Sequence, residues 1–128
     1  MSFIKQSTTV LAFATLAMIG VDAAAATALV TCEVSPTRSK ISIDGKSLAA
    51  GNYTTVAMSG GNIATSPTQA AVAGEVQTDY DSNPADIRAG DVAIVPTFIV
   101  GGKVTGKIVN ASGVKVASAT VLCRVRSK

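Results

Sequence analysis

The chain contains no histidine and no tryptophan, and its aromatic residues are three phenylalanines and two tyrosines. Without histidine there is no imidazole general base, no Ser-His or Cys-His nucleophile pair and no histidine metal ligand. Serine and threonine are plentiful, but a nucleophile would have to come from a Ser-Lys pair or an N-terminal Thr. Beyond residue 26 the rings are Tyr53, Tyr80 and Phe98, scattered and outside any recognisable module, so no nucleic-acid partner is expected. Acidic residues also run out, since none follows Asp91. The 128 residues, 48% hydrophobic with a formal charge of +3, have room for one modest domain.

What is present begins with an export signal. Lys5 gives a positive start, Thr9 to Gly20 (TVLAFATLAMIG) gives an apolar run too short to cross a bilayer, and VDAAAATA offers cleavage frames ending at Ala23, Ala25 or Ala26. Residues 1–26 therefore read as a signal peptide and residues 27–128 as the mature domain, the alternative being a retained N-terminal helix. After removal no membrane span is expected. No cysteine follows the apolar run closely enough for lipid anchoring. Loss of Lys5 and Asp22 leaves the net charge unchanged.

The two cysteines, Cys32 and Cys123, both lie in the mature part, one near each end. In an oxidising compartment they predict one structural disulfide, whereas a redox pair would favour C-x-x-C spacing.

Short runs of alternating or β-branched residues recur between Gly, Asn, Asp and Ser clusters, and no long 3.6-period apolar stripe is present. Strands are predicted at 28–34, 40–44, 53–58, 71–80, 92–100, 104–109 and 114–126, with 62–69 as a loop. The pattern predicts an all-β, immunoglobulin-like Greek-key sandwich of about seven strands. Pro96, inside its run, marks an edge, a bulge or a crossing between sheets. Asn83-Pro84-Ala85-Asp86 places an N-cap, a first-turn proline and an acid in order, with Gly90 as a stop, predicting one short helical turn linking the two sheets. The predicted core is Val30, Val34, Ile41, Ile43, Val56, Met58, Val72, Val76, Ile87, Ile94, Phe98, Val100, Val104, Ile108, Val116 and Val121.

Two charged features are candidate sites. Asp79, Asp81 and Asn83 have the D-x-D-x-N spacing that opens a calcium loop, and Asp86 is a further oxygen donor. The pattern then departs: Pro84 stands where the tight-turn glycine belongs and Gly90 where a bidentate Glu belongs. A solvated capping turn needs the same residues. The second feature is a basic stripe, Lys103 and Lys107 on one strand with Arg124 and Arg126 on the last, each pair sharing a face by period two. Such a stripe discourages edge pairing or contacts an anionic surface.

Gly102 to Val121 (GKVTGKIVNASGVKVASATV) resembles the opening hairpin of carboxypeptidase-regulatory-like surface modules, with Ser118 where their second strand has Gly. The resemblance implies a Greek-key hairpin at the C-terminal end. The Tyr near the C-terminus that marks chaperone-usher pilus subunits is absent. The sequence thus predicts an exported, non-enzymatic sandwich with no required cofactor. It would be secreted, periplasmic or at the cell surface, with a structural, adhesive or assembly role through self-association or another envelope component. The alternative is a small calcium- or ligand-binding module using the 79–91 loop.

Overall fold

In strand β1 (Thr27–Ser35), Val30 and Cys32 are buried while Leu29 and Thr31 face solvent, the period-two alternation of a strand with one side against a core. Strand β2 (Arg38–Lys46) repeats it with Ser39, Ile41 and Ile43 inward. The computed structural model, which describes residues 25–127, builds two sheets from such strands. The remaining elements are β3 (Asn52–Ser59), β4 (Asn62–Thr65), β5 (Gln69–Ala70), β6 (Val76–Asp81), helix α1 (Pro84–Arg88), β7 (Val92–Ala93), β8 (Lys103–Asn110), β9 (Lys115–Leu122) and β10 (Arg124–Val125). The first sheet runs β10-β1-β2-β6-β7 and the second β4-β3-β8-β9, with β5 also pairing with β3. The chain crosses between sheets after β2, β5, β7 and β9, which is the predicted Greek-key sandwich. The predicted signal peptide, but for Ala25 and Ala26, lies outside the described residues.

Ile41, Ile43, Val104 and Ile108 are fully buried between the sheets, and Tyr80 fills the remaining depth. The layers approach closely at Gly106 on β8, where a β-carbon would stand 2.6 Å from Val30 Cγ2 and 3.0 Å from Ile43 Cδ1. Tyr80 brings a polar atom into the apolar centre, and β3 supplies its partners. Its hydroxyl donates to the Thr55 carbonyl at 2.9 Å and shares a second hydrogen bond with Thr55 Oγ1. Ser66 closes the network, its Oγ accepting from the Thr55 N–H and donating to the Pro67 carbonyl. Burial pushes the Tyr80 phenol up to about 12, so it stays a neutral donor.

That network explains a departure from the predicted core. β3 turns Tyr53, Thr55, Ala57 and Ser59 inward, leaving Val56 and Met58 half-buried on the outer face. Both parities of this strand carry apolar atoms, and the side that matches the Tyr80 phenol faces in. Val72 and Val100 are exposed, whereas Leu48, Tyr53 and Ile99 belong to the core.

Three element boundaries also differ. The predicted strand 71–80 begins as a reversal, with Val72 and Glu75 exchanging backbone hydrogen bonds across Ala73 and Gly74, both at positive φ. Asn62–Thr65 is a strand paired with β3, not a loop. The run 92–100 leaves the first sheet after Ala93 and crosses to the second, because buried side chains bind its backbone in place of a neighbouring strand. Ser39 Oγ donates to the Pro96 carbonyl and accepts from the Ile99 N–H, Ser59 Oγ accepts from the Val100 N–H, and Asn62 Nδ2 donates to the Phe98 carbonyl. The short helix forms where predicted, with Asn83 Oδ1 accepting from the Ala85 N–H. It joins β6 to its parallel neighbour β7 within one sheet, however, and does not link the two sheets.

The last predicted strand breaks at Cys123. Upstream, β9 pairs with β8 in the second sheet; downstream, β10 runs parallel to β1 in the first. The Cys32–Cys123 disulfide sits at this crossing and closes a sequence separation of 91 residues. In the chain-entropy model such a loop contributes about 4–5 kcal/mol, comparable to the whole stability of a small domain. Cys32→Ser is therefore expected to lower the melting temperature by more than about 15 °C; an unchanged melting curve would show that the bond contributes nothing. Gly106→Ala is expected to destabilise by about 1–3 kcal/mol through overpacking, measured by urea unfolding with the disulfide intact.

Candidate functional site

The acidic turn is held by Arg38. Its guanidinium donates to Asp81 through Nε at 2.9 Å and Nη2 at 2.6 Å, and Nη2 also reaches Asp86 at 2.9 Å. Asp81 has no exposed surface. Burial alone would push its carboxyl up, but the Arg38 hydrogen bonds, the backbone N–H groups of Asn83 and Ser82 and the nearby positive charge hold it below the usual aspartate range.

Asp81, Asp86 and Asp91 place carboxylate oxygens within 4.8 Å of one another. Of the predicted calcium residues, Asp81 and Asp86 are thus brought together, with Asp91 as the third carboxylate. Asp79 lies outside this group, opposite Ser42 on the outer face of the first sheet, and the Asn83 side chain caps α1. Asp91 has no ion-pair partner among the described residues, and its carboxyl is raised by burial and then by Asp79, Asp81 and Asp86. These residues can position a helix and pin the β1–β2 hairpin, with Arg38 supplying the positive charge that three converging carboxylates require.

The basic residues are divided between two sheets by the break at Cys123. Lys103 and Lys107 project from the outer face of β8, opposite Leu122 and Ser118 of β9. Arg124 and Arg126 follow β1 at the edge of the first sheet. Arg126 Nε donates to Glu33 Oε1 at 2.9 Å and its N–H to the Val34 carbonyl, fastening the chain end. The Arg126 hydrogen bond lowers the Glu33 pKa. The predicted stripe is therefore two separate pairs, one on a face and one in a terminal clamp.

Acidic residues, but not basic ones, segregate between the two layers, since the first sheet also carries Arg38, Lys40 and Lys46 on β2 and Arg124 on β10. Every acidic side chain among the described residues (Glu33, Asp44, Glu75, Asp79, Asp81, Asp86, Asp91) belongs to the first sheet or to the turns joined to it. The strands of the second sheet carry Lys103, Lys107 and Lys115 and no acid. Their outer surface consists of Thr54, Val56, Met58, Ile63, Thr65, Thr105, Val109, Ser118, Thr120 and Leu122 around these lysines. A groove beside β1 is lined by Thr31, Glu33, Lys40, Ser42, Asp79 and Arg124.

Ser112 and Lys115 have the spacing of a serine–lysine pair, but both are exposed at the β8–β9 hairpin, where water has free access. Among the described residues no helix is long and apolar enough to cross a membrane. Comparison of the chain with protein-family models, curated proteins and solved structures finds no match.

The two raised and lowered aspartates have opposite signs in the pH dependence of stability. A depressed folded pKa at Asp81 gives stability that is present above the ordinary aspartate range and lost as pH falls through the folded value. A raised folded pKa at Asp91 gives a contribution present at low pH and lost as pH rises. Asp81→Asn is accordingly expected to cost about 2 kcal/mol at pH 7, discounted because Arg38 is half-exposed, and to flatten the acid limb of the melting-temperature profile. Asp91→Asn is expected to leave stability at pH 7 unchanged or slightly higher. Equal losses in both variants would contradict this assignment.

Proposed function

We propose that the chain is an exported, non-enzymatic sandwich with a structural, adhesive or filament-subunit role at the cell envelope or surface, acting by association. The observation that carries this reading is the disulfide joining β1 to the final crossing, a bond that persists in oxidising compartments and is rare in the cytosol. Supporting it, the buried polar side chains described above secure the fold: Tyr80, Thr55 and Ser66 bond across the sheets, Ser39 and Ser59 hold the 92–100 crossing, and Asp81 is paired with Arg38. What the molecule offers outward is two broad sheet faces, one with lysines and no acid, the other carrying charges of both signs.

The calcium reading has one observation in its favour, the three converging carboxylates. A cation there would compete with Arg38, which already bonds two of them. A rise in melting temperature on adding calcium, abolished by Asp86→Asn with Asp91→Asn, would replace the structural role with a binding one.

The localisation is tested by fractionating the native host and analysing the protein after alkylation without reductant. The expected result is an envelope or extracellular species whose sequence starts just after Ala26 and which contains no free thiol. A cytosolic species with two alkylated cysteines would overturn the reading.

A further inference from the structure

The role proposed above leaves the partner unnamed, and the acid-free face of the second sheet bears on it; the inference rests on that reading. We propose that this face binds an extended acidic polysaccharide, a linear chain bearing carboxylates or sulfates, along a row formed by Lys103, Lys107 and Lys115.

The register puts the three lysines on one side. Lys103 and Lys107 share the outer side of β8, and Lys115 stands opposite Val109 because the pairing shifts at Ile108 and Val109. An unshifted ladder would pair Val109 with Val116 and turn Lys115 to the inner side. With a rise of about 3.3 Å per residue, Lys107 stands about 13 Å from Lys103, and Lys115 about 8 Å further on, one strand across. None of the three takes part in an ion pair among the described residues, and β3, β4, β8 and β9 carry no acid. An anion therefore reaches them without passing a carboxylate. The groove beside β1 does not allow this, since Glu33 and Asp79 line it together with Lys40 and Arg124.

The residues between the lysines select among anionic partners. Lys107 is flanked by Val56 and Ser118, and the neighbouring row holds Met58, Thr105 and Thr120. The Thr105 and Thr120 hydroxyls share one hydrogen bond at 2.7 Å, so one proton and several lone pairs stay free for sugar hydroxyls. No aromatic ring faces outward here to stack on a base, because β3 turns Tyr53 into the core. Leu122 and Ile63, the most exposed apolar side chains of this sheet, lie on its two edge strands with Thr105 and Lys107 between them, which gives a bilayer no continuous apolar patch. Exposed charge pairs are individually weak and screened by salt, so the affinity comes from several contacts along one polymer.

Calorimetric titration of the disulfide-bonded protein, recovered after export of the full chain, tests the proposal. The probes are polygalacturonate, dextran sulfate, uncharged dextran and vesicles of phosphatidylcholine with phosphatidylglycerol, each at low and high salt. The expected result is binding to an acidic polymer in low salt, lost in high salt, and none to dextran. Polygalacturonate and dextran sulfate separate carboxylate from sulfate recognition. Lys103→Ala, Lys107→Ala and Lys115→Ala should each weaken binding about two- to fivefold and together abolish it, with unchanged melting curves. Lys40→Ala with Arg124→Ala, on the other sheet, should leave it unchanged. Should the triple variant fail to fold, the single variants decide. Full binding by the lysine variants, or binding to the vesicles and to neither acidic polymer, overturns the proposal. No binding to any probe overturns it as well and leaves export and assembly standing, whereas a reduced, cytosolic protein overturns the reading beneath it.

Discussion

The structure depends on the bond between Cys32 and Cys123, because it fastens the two ends of the chain where the chain changes sheets. The immunoglobulin pattern commonly pins two strands across the middle of the core. Here the middle is held by Tyr80, Thr55 and Ser66, and sulfur is used at the margin, between β1 and the β9–β10 break. The reason lies in composition. The core is mostly Val and Ile, with Tyr53, Tyr80 and Phe98 as its rings, and it is small, so loop closure across nearly the whole domain has a large relative effect. Arg126 with Glu33, and the Arg126 N–H with the Val34 carbonyl, extend the same fastening beyond the bond.

The fold class was legible because its signals are local. Alternation in 28–34, 40–44 and 104–109, glycine-bearing turns, and the Asn83-Pro84 start of α1 all act within a few residues. The misplaced parts depend on partners far along the chain. Which parity of β3 faces inward is decided by Tyr80, and the course of 92–100 is decided by hydroxyls at Ser39 and Ser59 that read as ordinary strand polarity. The reversal at Ala73-Gly74 was hidden because Ala occupies a positive-φ position where Asn or Asp usually signals the turn.

The candidate sites follow the same division. Asp81 and Asp86 come together as their spacing suggested, but the residue that governs them, Arg38, is distant in sequence and gave no local sign. The apparent basic stripe dissolved because a single break at Cys123 transfers the last two arginines to the other sheet. Conversely, the confinement of the acids to one layer is only partly visible along the chain, where no acid follows Asp91 but acids and bases are mixed before it. It arises because β3, β4, β8 and β9, distant in sequence, happen to form one sheet. A molecule with its structural polar groups satisfied internally and one broad sheet face free of acid is suited to contact through its faces, which is how the fold leads to the proposed role.

The most direct test of the central claim is amide hydrogen exchange on the oxidised and the reduced protein at the same pH and temperature. If sulfur fastens the chain ends, reduction will accelerate exchange first in β1, β9 and β10, while β2, β3, β6 and β8 retain protection until global unfolding. Identical protection of β1 and β10 in the two forms would contradict it.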